Sequence, residues 1–278
     1  ESAFFFFTEC NRIWVFFQPT RCSRNYWNLM IDACEKAFNS GSVGVVITHG
    51  TDTLHISAAA LSFAFAGNGG RPGGRIVFTG SQRSSDRASS DATENLLSAV
   101  YWAANGPAVT GVGDAAVTVM HAGSGDGKCA VCPGVSVRKM HSTKRNAFQT
   151  VNGDVLGEIV ISREGLTHTS NVGSQNRIPS SPTHYDTKVK IAQLIAGPHL
   201  HADLLSAAVS SGYSAIIIHG TGLGHLPIEN SNGDAPENDE LAKFIESCSI
   251  PVIVANQCIN GPVDLNVYSK GRNQQKMG

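Results

Sequence analysis

A chain of 278 residues with 41% hydrophobic and 15% charged residues has the material for one large or two moderate domains with well-filled cores. Its 21 Lys and Arg against 22 Asp and Glu leave a formal charge of −1, which by itself advertises neither a nucleic-acid nor a membrane surface. No stretch reaches the roughly 18 consecutive apolar residues that a spanning helix needs, so no membrane partner is expected. The seven cysteines, Cys10, Cys22, Cys34, Cys129, Cys132, Cys248 and Cys258, are odd in number and scattered, the usage of reduced thiols in a cytoplasmic enzyme. Cys129 and Cys132 have a zinc-like or redox-like spacing, but no second such pair or nearby His pair completes four ligands, so no metal is expected.

Residues 1–20, with Phe4 to Phe7 and Ile13 to Phe17, show neither strand alternation nor helix spacing, and Glu1, Glu9 and Arg12 speak against a signal peptide. From Tyr26 to Phe38, Trp27, Met30, Ile31, Cys34 and Phe38 recur at helical spacing. Val43–Thr48 reads as a buried strand, Leu54–Phe65 as a helix, Asn68–Gly74 as a loop and Arg75–Thr79 as a strand. A polar loop from Gly80 to Ser90 leads to Asp91 and Glu94, spaced like a capping box, at the start of a helix running to about Ala104. Ala115–Met120 is a third strand, and Val135–Arg138 and Glu158–Ser162 are β-like. The alternation predicts a doubly wound parallel sheet. Arg163 to about His184 has the composition of a linker. A second α/β unit follows, with strands at Lys188–Ile195, Ala215–Ile218 and Ile250–Ala255, helices at His201–Ser211 and Glu237–Cys248, and the first turn of a helix near Gly271.

Chemistry concentrates at His49-Gly50-Thr51-Asp52-Thr53, which sets a hydroxyl and a carboxylate at a strand's end, where open α/β sheets keep their sites. Farther on, Val137-Arg138-Lys139-Met140-His141 offers a lysine that can turn a threonine hydroxyl into a nucleophile or water activator if the fold joins them. Threonine is a poor nucleophile at its free pKa, so a neighbouring amine must take its proton, which near neutral pH requires burial or a cationic neighbour. Arg138 and His141 are candidates for that neighbour, although Arg138 should alternate away from Lys139 on a strand. The bland alternatives are a mere turn at His49-Gly50-Thr51, a solvated Lys139, and Asp52 as a helix cap. His219-Gly220-Thr221 repeats the strand-end turn in the second half and is explained by glycine-enabled turning. His55, His168, His184, His199 and His201 are assigned ordinary surface or core roles.

These motifs carry a resemblance. His49 to Thr53 together with Arg138-Lys139 resembles the L-asparaginase family. The runs Gly80–Asp91, Val137–Phe148, His219–Pro227 and Asn256–Tyr268 look more specifically like the asparaginase-like D subunits of archaeal glutamyl-tRNA(Gln) amidotransferases. The resemblance implies a two-domain α/β architecture: a larger N-terminal doubly wound sheet over 21–163 whose first strand is missing, a linker over 164–186, and a smaller C-terminal domain over 187–278. Residues 1–20 are expected to be a segment foreign to the family, and both ends to be truncated. Thr51 is implied as the second active-site threonine and Lys139 as the lysine that tunes it. Asp52 is implied as the carboxylate that pairs with Lys139 and holds the substrate's α-amino group, with Gly50, Thr51 and Asp52 as substrate-binding residues.

The implied activity is hydrolysis of glutamine or asparagine to supply ammonia to an E-type partner subunit, which uses ATP and Mg²⁺ to convert Glu-tRNA(Gln) into Gln-tRNA(Gln). No cofactor is expected in this chain, tRNA is met only through the complex, and a second copy of the chain completes a homodimer in the cytoplasm. The family's Thr-Gly-Gly-Thr-Ile-Ala turn, with the primary nucleophilic threonine, is absent from the sequence. The chain as it stands is therefore expected to be inactive. A stand-alone cytoplasmic asparaginase and a non-catalytic remnant are the alternatives.

Overall fold

The computed structural model describes residues 23–66, 75–107, 115–171 and 181–277, together with the backbone of 6–8 and 13–18. The expected loop at Asn68–Gly74 and the middle of the expected linker lie outside these residues. Two compact units divide the chain, Glu1–Asp186 and Thr187–Gly278.

The first unit is built on an eight-stranded sheet of order β1-β2-β3-β4-β5-β6-β9-β10. Its strands are β1 (Phe6–Thr8), β2 (Ile13–Gln18), β3 (Gly44–His49), β4 (Arg75–Thr79), β5 (Ala116–His121), β6 (Lys128–Pro133), β9 (Gly157–Ser162) and β10 (Gly165–Ser170). Strands β2 to β5 run parallel, and the remaining pairings are antiparallel. The expected parallel sheet therefore carries antiparallel strands at both edges. Ile13–Gln18 pairs in parallel with Gly44–His49, so the expectation of a sheet lacking a strand on that side is corrected. An apolar run without alternation is what a strand inside a parallel sheet looks like.

Helices cover both faces. α1 (Arg24–Asn39) starts at Ser23, whose side chain accepts a hydrogen bond from the Tyr26 amide. It packs with α2 (Leu54–Ala66) over the face bearing Val45, Ile47, Ile76 and Phe78. α3 (Ala92–Asn105) covers the other face, where Ala99, Trp102 and Ala103 meet Val46, Val77, Val117 and Val119. The side chains of β3 alternate between these two cores, as the period of a strand requires. A short hairpin of β7 (Val137–Lys139) and β8 (Phe148–Thr150) stands apart from the main sheet.

The stretch read as a linker is more ordered than its composition implied. Gly165–Ser170 forms β10 against β9, with His168 packed edge-on against Tyr101 and Trp102 of α3. Farther along, the Thr183 amide donates to the Ala64 carbonyl, the Tyr185 hydroxyl to the Ala60 carbonyl, and His184 pairs with Asp32. A polar composition disguised a segment held by backbone, hydroxyl and ring contacts, with Leu166 and Tyr185 packed against the two cores.

The second unit has a parallel sheet of β11 (Ile191–Ile195), β12 (Ala215–Gly220) and β13 (Val252–Asn256), with α4 (Ala202–Ser210), α5 (Pro236–Glu246) and α6 (Ser269–Gln275). Leu205, Ile216, Ile218, Leu226 and Leu241 form its core. The turn near Gly271 is a helix, anchored where Gln274 bonds the Leu226 amide and the Gly224 carbonyl.

Candidate functional site

β3 ends at His49, and the chain turns through Gly50, Thr51 and Asp52 into α2 at the carboxyl edge of the sheet. The loop leaving β4 presses against this turn: a Cβ on Gly80 would stand 2.5 Å from the His49 carbonyl oxygen and 3.3 Å from Thr51 Cγ2. Only glycine lets the two strand ends lie so close. His49, 4% exposed, bonds the Gly50 carbonyl through Nδ1 at 2.8 Å, and its burial lowers its pKa.

Lys139 is the last residue of β7. Its Nζ donates to Thr51 Oγ1 at 3.0 Å and to Asp52 Oδ1 at 2.8 Å. The lysine side chain is 11% exposed and that of Asp52 81%, so the ammonium is enclosed while the carboxylate opens to solvent. The hydrogen bond and the charge of Lys139 hold the Asp52 carboxyl below its ordinary pKa. Arg138 is exposed, on the other side of the strand. Lys139 is thus not a solvated charge, and Asp52 spends its hydrogen bond on Lys139. Gly50 and Thr51 lie half-buried beside them.

The arrangement offers an amine within proton-transfer distance of a hydroxyl, next to an accessible carboxylate able to pair with an ammonium group. His55, in the first turn of α2, packs against Phe148, the residue opposite Lys139 in the hairpin. Its burial, followed by the charges of Arg138 and Lys139, lowers its pKa, a closer relation to the site than its ordinary assignment implied.

The loop from Gly80 to Asp91 borders an open polar groove of about 870 Å³ lined by Gln82, Arg83, Asp86, Arg87 and Thr143. The expected capping box is not formed. Asp91 stands at the N-cap of α3 without capping it, and its carboxylate turns instead to Ser81 Oγ and to the amides of Gln82 and Arg83. Cys129 and Cys132 lie on one strand three residues apart and face opposite cores, which keeps their thiols from sharing an ion or a bond. Burial pushes the Cys129 thiol up to about 11. In the second unit Thr221 Oγ1 donates to the His225 carbonyl, closing a local turn, as its glycine-based reading expects.

Sequence reasoning missed Asn95, His121, Asp126 and Arg145. Glu94, His121 and Asp126 place potential metal-ligand atoms within 4.8 Å of one another, a donor set suited to a divalent ion. The guanidinium of Arg145 already reaches into it, 2.6 Å from His121 Nε2 and 2.6 Å from Asp126 Oδ1. Arg145 lies in the Val137–Phe148 run singled out from the sequence, but nothing local marks its partners.

The turn-borne Thr51 and Asp52 thus meet the hairpin Lys139 at the edge of a largely parallel sheet, the juxtaposition that the resemblance to the asparaginase family implies. The family model for the asparaginase N-terminal domain matches residues 18–173 and that for the glutaminase/asparaginase C-terminal domain residues 188–278, so the chain belongs to the asparaginase family. Among curated relatives, the D subunit of the glutamyl-tRNA(Gln) amidotransferase of Methanococcus vannielii is 37% identical over 255 residues, covering 91% of this chain and 55% of the relative. The corresponding D subunit of Pyrococcus abyssi is 37% identical over 261 residues, covering 91% and 53%. The chain thus spans about half the length of the curated relatives it matches. Of solved structures, the thermostable L-asparaginase from Thermococcus kodakarensis superposes with a TM-score of 0.70 at 27% identity, covering 92% of this chain and 70% of that one. L-asparaginase I from Vibrio cholerae, at 23% identity and a TM-score of 0.69 over 92% of this chain and 70% of that one, shares the fold.

Proposed function

We propose that the chain is the amidase component of a glutamyl-tRNA(Gln) amidotransferase, hydrolysing the side-chain amide of glutamine or asparagine and passing on the ammonia. The observation that carries this reading is the Lys139 ammonium held between Thr51 Oγ1 and Asp52 Oδ1, 3.0 and 2.8 Å away. In the proposed reaction Asp52 binds the substrate's α-ammonium group. With Lys139 in its neutral form, its amine takes the proton from the Thr51 hydroxyl or from a water beside it, and the oxygen adds to the amide carbon. Collapse of the tetrahedral adduct breaks the C–N bond, and the returned proton leaves with ammonia; where Thr51 is the nucleophile, a water that gives its proton to Lys139 then cleaves the Thr51 ester, releasing the acid and restoring the hydroxyl. None of these steps calls for a cofactor in this chain. The names of the curated relatives support an E-type partner, on which ATP and Mg²⁺ would act and through which tRNA would be met. A homodimer in the cytoplasm completes the reading. Among the described residues no helix is long and apolar enough to cross a membrane.

The absence of a Thr-Gly-Gly-Thr-Ile-Ala turn predicts that the 278-residue chain releases ammonia far more slowly than a version with that turn installed ahead of Ser23. In the active version Lys139→Met is expected to reduce ammonia release from glutamine or asparagine at least about 100-fold while the circular dichroism spectrum is retained. Near-normal release by the Met variant would remove Lys139 from the mechanism. A stand-alone asparaginase is the second reading, favoured by the likeness to the Thermococcus kodakarensis enzyme. It predicts fast asparagine hydrolysis unaffected by an E-type subunit and tRNA, whereas the main reading predicts stimulation of glutamine hydrolysis by both.

A further inference from the structure

A continuous hydrogen-bonded chain ties the Lys139 hairpin to the loop beside Thr51. Asp91, fully buried, accepts from Ser81 Oγ at 2.9 Å, the Gln82 amide at 3.1 Å, the Arg83 amide at 2.9 Å and Asn95 Nδ2 at 2.9 Å. Asn95 Nδ2 gives its other proton to the Gly80 carbonyl, also at 2.9 Å. With its amide nitrogen committed on both sides, Asn95 turns Oδ1 to His121 Nδ1 at 2.7 Å, so the ring carries its proton on Nδ1. The opposite ring nitrogen, Nε2, lies 2.6 Å from Arg145 Nη2, a group that can only donate. Glu94 Oε2 stands 3.0 Å from the same nitrogen, but a proton placed there would face the nearer Arg145 donor. His121 is therefore neutral and accepts from Arg145. Its burial and the charge of Arg145 lower its pKa against the opposing pull of Glu94, Asp91 and Asp126.

Arg145 sits in the turn that joins β7 to β8. Its other nitrogen donates to Asp126 Oδ1 at 2.6 Å and to the Ser124 carbonyl at 3.3 Å, and the adjacent Lys144 carbonyl accepts from Gln82 Nε2 at 2.9 Å. Below that turn the Met140 amide meets the Ala147 carbonyl, and Lys139 pairs with Phe148. The hairpin bearing the amine is thus fastened at its tip to the end of β5, and through Asn95 and Asp91 to the loop whose Gly80 touches the Thr51 turn.

We propose that Arg145 and His121 are positioning residues that set the Lys139 amine against Thr51, with the Arg145 guanidinium acting as a tethered cation among Glu94, His121 and Asp126. The geometry stands on the contacts above, and only its catalytic consequence rests on the amidase reading. The test follows Lys139 directly, through its side-chain ¹³Cε signal in lysine-labelled protein, assigned by its disappearance in Lys139→Met. Arg145→Met is expected to move that signal while leaving those of Lys190 and Lys243 in place, and Arg145→Lys to restore part of the shift. In the active version of the protein Arg145→Met should lower kcat at least tenfold with KM within twofold. An unmoved Lys139 signal in a folded Arg145→Met protein overturns the proposal. A moved signal in a protein whose active version hydrolyses neither amide supports the positioning role and defeats the amidase reading instead. If Arg145→Met does not fold, long-range ¹⁵N–¹H spectra of the unmutated chain at pH 7 decide: Nδ1–H with a bare Nε2 supports the arrangement, whereas Nε2–H or a doubly protonated ring refutes it.

Discussion

At the residue scale, the site depends on a close approach as much as on its functional groups. Gly80 has no side chain because the His49 carbonyl lies where its Cβ would be, 2.5 Å away. Gly80→Ala is expected to push backbone against backbone, costing about 1–3 kcal/mol as an overpacking substitution, read as a fall in the urea midpoint. It should also loosen the Thr51–Lys139 contact, since Thr51 Cγ2 is the next nearest atom. Asp52→Asn should behave oppositely. Its side chain is 81% exposed, and exposed ion pairs add little to stability, so the urea midpoint should hardly move. Removing the anion should nonetheless raise KM for an amino acid amide in steady-state assays, and an unchanged KM would release Asp52 from its binding role. Thr51, Asp52 and Lys139 were legible because each is a distinctive residue in a distinctive local run. Gly80, Asn95 and His121 were not, because what matters about them is which distant atom they meet.

At the scale of elements, the same distinction separates what periodicity reveals from what pairing creates. The helices and the apolar strands β3, β4 and β5 carry their own signatures, and the described structure forms them close to where the sequence places them. Strands β7 and β8 have three residues each, too few to show a period, and β6 coincides with a Cys pair whose spacing suggests other chemistry. β10 is polar and half-exposed and became a strand only by pairing with β9. The loop between β4 and α3 is organised by Asp91, whose carboxyl burial pushes up while the hydrogen bonds from Arg83, Gln82 and Ser81 pull it down, the net result being a lowered pKa. Asp91→Ala would leave these part-buried donors unmatched, at a cost on the order of 1–3 kcal/mol. Hydrogen exchange at the Gln82 and Arg83 amides should accelerate before the rest of the unit opens. Unaltered exchange there would show that the loop holds itself.

At the scale of the molecule, three buried or half-buried histidines share a direction. His49, His55 and His121 all have pKa values lowered from 6.5, with burial the first cause for each. In the unfolded chain these rings protonate more readily, so the unfolded state binds the extra protons once pH falls below about 6.5. Their stabilising contribution is complete above that pH and is lost as pH drops toward the folded values. Thermal unfolding should show a melting temperature that is level above about pH 7 and declines as pH falls below about 6.5, each ring supplying at most about 1.4 kcal/mol per pH unit. His121→Asn should flatten part of that decline. Below about pH 4 the lowered carboxyl of buried Asp91 adds a second loss, because protonating it removes what its partners stabilise, whereas the exposed Asp52 adds little. A melting temperature that rises on acidification through pH 6 would contradict the neutral, buried state of these rings.

By itself the sequence determined the α/β class, the strand-end position of Thr51 and Asp52, and a lysine of the right kind, because hydrophobic period and turn chemistry are local properties. Only the tertiary structure decided that Lys139 reaches both residues of the turn, and that the patternless Ile13–Gln18 run pairs as a strand. It also decided that the His121–Arg145 chain fastens the two loops together. Those are meetings of segments far apart in the chain, fixed by packing and by the need of each buried polar group to find a partner. No run of neighbouring residues encodes them.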